Sequence, residues 1–148
     1  MERRKFLTGA AVAGAATSLA APSVAQSKIE MAIVATWPRD FPGLGLPAQR
    51  MAARIQELTD GEIQVTYFAA GEKVGAFDSF DEVASGNSQA YIGADYYWKG
   101  KHPGWAPFTA IPFGLTAGEM DAWTKYAGGQ ELWDELAGEF GLKNFAMG

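Results

Sequence analysis

The chain has 148 residues, the size of one ordinary domain, and a formal net charge of −5. Its 48% hydrophobic and 20% charged residues predict a folded chain rather than a disordered one. It has no cysteine and a single histidine, His102, which excludes disulfides, cysteine-ligated metals and thiol nucleophiles and disfavours a histidine-based metal centre. An acidic balance with scattered basic residues argues against nucleic acid as a partner.

Residues 1–25 are typical of an export signal. Positive charges precede an apolar run rich in Ala and Gly, and Ser23-Val24-Ala25 offers small residues for cleavage. Arg3-Arg4-Lys5-Phe6-Leu7 resembles a twin-arginine leader, and an ordinary secretory signal that happens to hold two arginines is the alternative. Without the leader's three basic residues and one acidic residue, 9 Lys and Arg face 16 Asp and Glu, a net charge of −7. An acidic, cysteine-free exported chain fits a bacterial periplasm.

After the leader, strand and helix patterns alternate. Apolar residues recur at every second position over 28–36 and over 62–68, which predicts two strands. Between them, apolar residues keep helical spacing from Pro47, which is tolerated in a first helical turn, to Leu58, and Asp60-Gly61 ends the helix. The order strand–helix–strand favours a parallel pair joined by a right-handed crossover.

The second half repeats this alternation. A short amphipathic helix over 77–84 precedes a third strand, predicted over Gln89 to Ala94. Thr116-Ala117-Gly118-Glu119 is a capping box that opens another helix, and one more helix ends at Gly141. Residues 142–147 have the pattern of the beginning of a further strand.

Two predicted strands are followed by aromatic loops. Trp37 and Phe41 follow the first strand, and Tyr96, Tyr97 and Trp98 follow the third. Because the carboxyl ends of parallel strands share one edge of a sheet, these loops are expected to lie together, where open α/β sheets bind ligands. Rigid rings give contact area at little cost in entropy, although the same rings could form the core of the domain. Three prolines over 103–112 are expected to hold the next segment extended or turned.

Charged side chains near these loops are weaker candidates. Arg39 could offer a bidentate fork to a ligand carboxylate, although a loop arginine is more often solvated. Asp95 lies beside Tyr96, where an aspartate is usually a turn former. Glu72 and Lys73 are interpreted as surface loop residues. The chain has no nucleophile elbow, phosphate loop or dinucleotide fingerprint, so catalysis finds little support.

Five segments, in order along the chain, match the pattern of one protein family. They are Phe68–Val74, Asp81–Gly86, Gly93–Pro103, Ala110–Leu115 and Ala122-Trp123. This set resembles TRAP-type (tripartite ATP-independent periplasmic) solute-binding proteins, and the tyrosine–tryptophan run is similar to the branch that binds 2-oxo acids. There are two departures from the branch: the order Lys99-Gly100 is reversed, and Asp95 stands where the branch often has tyrosine.

The resemblance implies an α/β fold of the periplasmic-binding-protein type, an open sheet with helices on both faces. Residues 26–148 would be the N-terminal lobe of a two-lobe clamshell, truncated before the second lobe. The implied role is not enzymatic: the protein captures a small organic acid, a 2-oxo acid or similar monocarboxylate, and a TRAP membrane permease imports it with an ion gradient. A homodimer of the full-length protein is left open. No cofactor is expected in this chain, and a ligand-associated metal ion and a carboxylate-clamping arginine would belong to the missing lobe.

The matching positions also imply site residues. Trp37 would be an apolar wall and Tyr97 a hydroxyl donor to a carboxylate or oxo oxygen. Tyr96, Trp98 and Phe113 are weaker candidates, more typical of the core, and Arg39 is the candidate for the ligand fork. Two other functions stay open from the residues alone: an exported cofactor-bearing enzyme, and a free-standing partner-binding module.

Overall fold

Three parallel strands form the centre of the fold in the computed structural model, which describes residues 28–147. The alternating segments become β1 (Ile29–Ala35), β2 (Ile63–Phe68) and β3 (Ala90–Ile92). The strand order is β2-β1-β3, and both β2 and β3 pair with β1 in parallel. The predicted α/β class and the parallel first pair are therefore confirmed, and β3 is shorter than the sequence pattern indicated.

In the described part of the chain, four α-helices connect and follow the strands. They are α1 (Gly45–Leu58), α2 (Ser79–Ala84), α3 (Ala117–Tyr126) and α4 (Gly129–Gly138). The capping box predicted at the beginning of α3 is present: the Thr116 hydroxyl accepts from the Glu119 amide, and the Glu119 carboxylate accepts from the Thr116 amide at 2.8 Å. Across residues 28–147, no helix has the length and apolar character needed to cross a bilayer.

The two faces of the sheet pack against different kinds of side chain. Ile33 and Ala35 of β1 and Ile92 of β3 contact α1 through Ala48 and Ala52, and these small residues let the helix lie close to the strands. Successive strand residues point to opposite faces, so Tyr91 lies on the other side of the sheet. Helices therefore cover both faces, as the resemblance implied.

An aromatic cluster covers that second face. Phe80 of α2 lies at its centre, with its ring centroid 5.3 Å from Trp98 and 5.6 Å from Trp105, and Trp133 of α4 joins the same cluster. Trp105 and Phe80 are essentially inaccessible to water. Burial of each ring of this size stabilises a fold by about 3 kcal/mol, so this cluster fixes the position of the segment that follows β3.

The structure makes one sequence-based expectation more definite and overturns another. The proline-rich segment, expected to be extended or turned, forms a 3₁₀-helix over Pro103–Phe108, because Pro103 supplies the fixed φ of a first helical position and the buried Trp105 anchors the turn. Residues 142–147, predicted to begin a further strand, have no regular secondary structure and pair with none of the described strands. Asn144 instead places its side chain beside Asp95 and its carbonyl against the Gln130 amide, and these bonds take the place of a strand ladder.

Candidate functional site

The loops after all three strands meet at the carboxyl edge of the sheet. Ala35 is in register with Ile92, and the Thr36 amide donates to the Ile92 carbonyl at 3.0 Å, so the chains leave β1 and β3 side by side. The Ala70 amide, just after β2, donates to the Trp37 carbonyl at 3.0 Å. The beginnings of these loops are therefore adjacent, as predicted, but the Trp37 ring packs against the cluster under α1 and the Tyr97 ring against the aromatic cluster on the other face.

The strand order makes this edge a suitable place for a ligand. The chain passes from β1 through α1 to β2, which lies on one side of β1. It then passes from β2 through α2 to β3, which lies on the other side of β1. Open α/β sheets bind ligands outside the carboxyl ends of their strands. The loops that begin at Trp37 and Gly93 follow the neighbouring strands β1 and β3 at this edge.

Trp37 lies on the side of this edge that follows β1. Its ring is half-buried and packs against the cluster under α1, which includes Ala35 and Ile92. The backbone is fixed on one side by the Ala70 amide and restricted on the other by Pro38. An indole held in this way offers a rigid apolar surface with little entropy to lose on contact with a ligand.

Tyr96 and Tyr97 form the side that follows β3, within a 3₁₀-helix over Asp95–Trp98. Their rings meet edge to face with centroids 4.6 Å apart, and the edge of Phe77 supports the half-buried Tyr97 at 5.1 Å. Tyr96 is 38% exposed. A hydrogen bond with Tyr97, followed by burial, raises the pKa of Tyr96, so the Tyr96 phenol keeps its proton at neutral pH.

Gly93 allows the tyrosine loop to approach β1. A Cβ at this position would lie 2.6 Å from the Trp98 ring and 3.0 Å from the Thr36 methyl group, too close for any other residue. Trp98 itself is buried and donates from its indole nitrogen to the Phe77 carbonyl at 2.9 Å, so it belongs to the core, as expected. Phe113 was also expected to be core, and this is wrong: its ring is fully exposed, on a backbone with φ of +64°.

Asp95 is the residue of this edge that the sequence pattern described least well. It is 4% exposed, and its carboxylate accepts from the Trp133 indole at 2.6 Å and from the Asn144 amide at 3.3 Å. Burial raises the pKa of Asp95 to about 6, and the bonds from Trp133 and Asn144 act in the opposite direction. Far from being only a turn former, Asp95 joins the base of the tyrosine loop to α4 and to the segment after it.

Arg39 holds Glu72 rather than pointing alone into water. Its Nε donates to Glu72 Oε1 at 2.8 Å and its Nη2 donates to Oε2 at 2.5 Å, and Nη2 also reaches the Tyr67 carbonyl at 3.1 Å. Glu72 accepts the Ala69 amide at 2.9 Å as well. The Arg39 guanidinium, followed by the Ala69 amide, lowers the pKa of Glu72 to about 2. A role for Arg39 in holding ligand remains a prediction, and its fork geometry is occupied here.

Lys73 extends this loop toward α2. Its ammonium lies 2.7 Å from Glu82 and donates to the Ser88 hydroxyl at 2.5 Å. Glu72 and Lys73 are thus exposed loop residues, as interpreted, and each also forms an ion pair. Only the three-dimensional pairing reveals their partners, which lie outside the helical and strand spacings that a sequence displays.

Within the described range 28–147, no three side chains of His, Cys, Asp or Glu come together so that they could hold a metal ion. The chemistry that the edge offers is therefore an apolar wall at Trp37, phenolic donors at Tyr96 and Tyr97, and an ion pair at its border.

Sequence comparison identifies the family. Residues 34–148 match the profile of the bacterial extracellular solute-binding proteins, family 7. A monocarboxylate 2-oxoacid-binding periplasmic protein of Nostoc sp. is 31% identical over the whole of this chain, which covers 43% of that relative. The chain thus spans less than half the length of this curated relative.

Solved structures of similar proteins share the fold. A TRAP periplasmic solute-binding protein of Pseudoalteromonas atlantica with bound sodium and pyruvate is 38% identical, with a TM-score of 0.74 over 77% of this chain and 35% of its own. One of Colwellia psychrerythraea with bound calcium and pyruvate is 34% identical, with the same TM-score and the same coverage of both chains. These relatives are solute-binding proteins rather than enzymes. The match over most of its length and the shared fold show that this chain belongs to family 7 of the bacterial extracellular solute-binding proteins.

Proposed function

We propose that the chain forms one lobe of a periplasmic TRAP-type solute-binding protein that captures a 2-oxo acid or a similar small monocarboxylate. The observation that carries the proposal is the meeting of the Trp37 and Tyr96–Tyr97 loops at the edge where β1 and β3 end. Relatives at 34% and 38% identity hold pyruvate. The remaining length of such relatives would supply the opposite side of the cleft, since this chain covers 35% of each.

In this proposal the described residues contribute one wall of the site. Trp37 packs on the apolar part of the ligand, and Tyr97 donates its hydroxyl to a carboxylate or oxo oxygen, with Tyr96 beside it. Arg39 lies at the border of the site. Closure of a second lobe would exclude water, which strengthens hydrogen bonds to an anionic ligand.

The finer points of export and assembly belong to the same proposal. Residues 1–25 would direct export by the twin-arginine route to the periplasm, and residues 26–148 would be the N-terminal lobe. The loaded protein would deliver its ligand to TRAP permease subunits. Relatives carry sodium or calcium with their ligands. Residues 28–147 bring no metal-ligand group together, so any such ion would depend on the rest of the protein.

The test is calorimetric titration of the complete protein, as its gene encodes it, with pyruvate and 2-oxobutyrate. Propionate, which lacks the oxo group, is the matched ligand control. Tyr97→Phe removes only the hydroxyl, and loss of one hydrogen bond to a charged ligand should weaken pyruvate binding about tenfold or more. Tyr126→Phe, on the exposed face of α3, should change nothing. Absence of heat with every 2-oxo acid, under conditions where the protein is folded, would overturn the proposal.

A further inference from the structure

We infer that Arg39 and Glu72 act together as a clasp that positions Trp37, and that Arg39 does not bind the ligand carboxylate itself. The inference rests on the proposed function, in which Trp37 is one wall of the ligand site. It assigns Glu72, which no sequence pattern singled out, a role in ligand affinity. Both are positioning residues, because they act through the Trp37 loop.

Arg39 makes three hydrogen bonds, which attach the loop after β1 to the end of β2 and to the loop after β2. Both oxygens of Glu72 accept from Arg39, at 2.5 and 2.8 Å, and the Tyr67 carbonyl accepts from Arg39 Nη2 at 3.1 Å. Glu72 also accepts the Ala69 amide at 2.9 Å. The loop after β1 is therefore attached both to the end of β2 and to the loop that follows it.

This attachment lies directly beside Trp37. Pro38 alone separates Trp37 from Arg39, and proline fixes its own φ, so a displacement of Arg39 moves the indole. The Trp37 carbonyl accepts from the Ala70 amide at 3.0 Å, next to the Ala69 amide that Glu72 holds. The clasp and this backbone bond thus form a closed arrangement around one side chain of the proposed site.

The charge of Arg39 is already balanced within the protein. A bidentate arginine–carboxylate pair uses the planar edge that would otherwise receive a ligand carboxylate. The guanidinium carbon also lies 5.4 Å from the centre of the Tyr67 ring, so the group is held from a third direction. For Arg39 to engage a ligand in the same geometry, it would have to release Glu72.

The two roles predict opposite results for Glu72→Ala. If the pair is a clasp, Arg39→Ala and Glu72→Ala should weaken pyruvate binding to the complete protein by a similar factor, about fivefold to tenfold. The double variant should then be no worse than either single variant, because both remove one interaction. If Arg39 binds the ligand carboxylate, Glu72→Ala should keep or tighten pyruvate binding while Arg39→Ala weakens it, and that result would overturn the inference.

A second measurement tests the clasp without any ligand. Hydrogen exchange at the amides of Ala69 and Ala70 should become faster in both variants, because these amides bond to Glu72 and to Trp37. Arg54→Ala is the matched control, since Arg54 and Glu57 form an exposed ion pair of 2.7 Å on α1 that touches neither loop. It should leave both affinity and exchange unchanged.

The two readouts separate this inference from the proposed function. If the unmodified protein binds no 2-oxo acid, the proposed function fails, and the exchange data still decide whether the clasp holds the Trp37 loop. Unchanged exchange at Ala69 and Ala70 in both variants would overturn the clasp, whatever the affinity. Faster exchange together with equal losses of pyruvate affinity is the result expected.

Discussion

The loops after β2 and β3 each place a carboxylate at the same edge of the sheet, and the fold holds the two in opposite ways. Glu72, after β2, is an exposed anion paired with the Arg39 guanidinium. Asp95, after β3, is 4% exposed and bound by two neutral donors, the Trp133 indole and the Asn144 amide. One loop is therefore fixed by an ion pair in water and the other by burial.

The difference gives the two carboxylates opposite dependences on pH. Pairing with Arg39 lowers the pKa of Glu72 to about 2, so its contribution to stability is complete above its unfolded value of 4.5 and is lost as the pH falls through about 2. Burial raises the pKa of Asp95 to about 6, so its contribution is complete below its unfolded value of 3.8 and is lost as the pH rises through about 6. At this edge, the pKa of a carboxyl group is lowered where a cation pairs with it, as at Glu72, and raised where the group is buried without one, as at Asp95.

The largest expected effect comes from removing the charge of Asp95. The difference in free energy of unfolding between the unmodified protein and Asp95→Asn should fall by about 2.5 kcal/mol from pH 4 to pH 7, since the pKa is displaced by about two units in a buried group. Asparagine keeps the shape and still accepts from Trp133. Urea unfolding of both proteins at several pH values, followed by tryptophan fluorescence, measures this difference.

The unmodified protein and Asp95→Asn are compared because other carboxylates also make the free energy of unfolding depend on pH. Pairing with Lys73 lowers the pKa of Glu82, for example, and this group contributes equally to both proteins. A difference that stays constant from pH 4 to pH 7 would mean that Asp95 is not the buried, strained carboxylate described here.

Trp133→Phe should have the next largest effect. The substitution keeps an aromatic ring in the cluster but removes the indole donor at 2.6 Å from Asp95, leaving a buried anion with less compensation. We expect a loss of about 2 kcal/mol in the free energy of unfolding at pH 7 and a smaller loss at pH 4, where Asp95 is neutral in the fold. The measurement is again urea unfolding at the two pH values.

Trp123→Phe is the matched control for this substitution. Trp123 and Trp133 both stack on Phe108, with ring centroids 5.6 and 5.3 Å away, so each substitution replaces an indole that packs on the same ring. Among the described residues, the side chains that donate to Asp95 are Trp133 and Asn144, and Trp123 is not one of them. If both variants lose the same stability at both pH values, the bond to Asp95 contributes nothing beyond ring packing.

The fold could be predicted from the sequence to the extent that local patterns determine it. Alternation over 28–36 and 62–68 and the spacing from Pro47 to Leu58 indicated β1, β2 and α1, and the capping box at Thr116 marked the beginning of α3. The patterns were less specific where distant packing decided the backbone. The buried ring of Trp105 selects a 3₁₀-helix where the prolines predicted only an extended or turned segment, and side-chain bonds around Asn144 replace a strand pairing.

The candidate site divides in the same way. Trp37 and Tyr97 could be brought to one edge by reasoning from strand order alone, because parallel strands end together. The partners of Arg39 and Asp95 could not, because Glu72 is separated by 33 positions and Trp133 by 38. No helical or strand period connects such pairs, and only the assembled sheet brings them within hydrogen-bond distance.

The smallest expected effect concerns the exposed carboxylate and sharpens the contrast with Asp95. In Arg39→Ala, the pKa of Glu72 should rise from about 2 toward its ordinary 4.5, because the largest cause of its displacement is gone. The pKa of Asp95 should not change, since its causes are burial, Trp133 and Asn144. NMR titration of the side-chain carboxyl carbons in the complete protein measures both.

Stability at pH 7 should change less in Arg39→Ala than in Trp133→Phe, because exposed pairs contribute little and salt screens them. A Glu72 pKa that stays near 2 without Arg39 would show that the loop amides, rather than the ion pair, stabilise this anion.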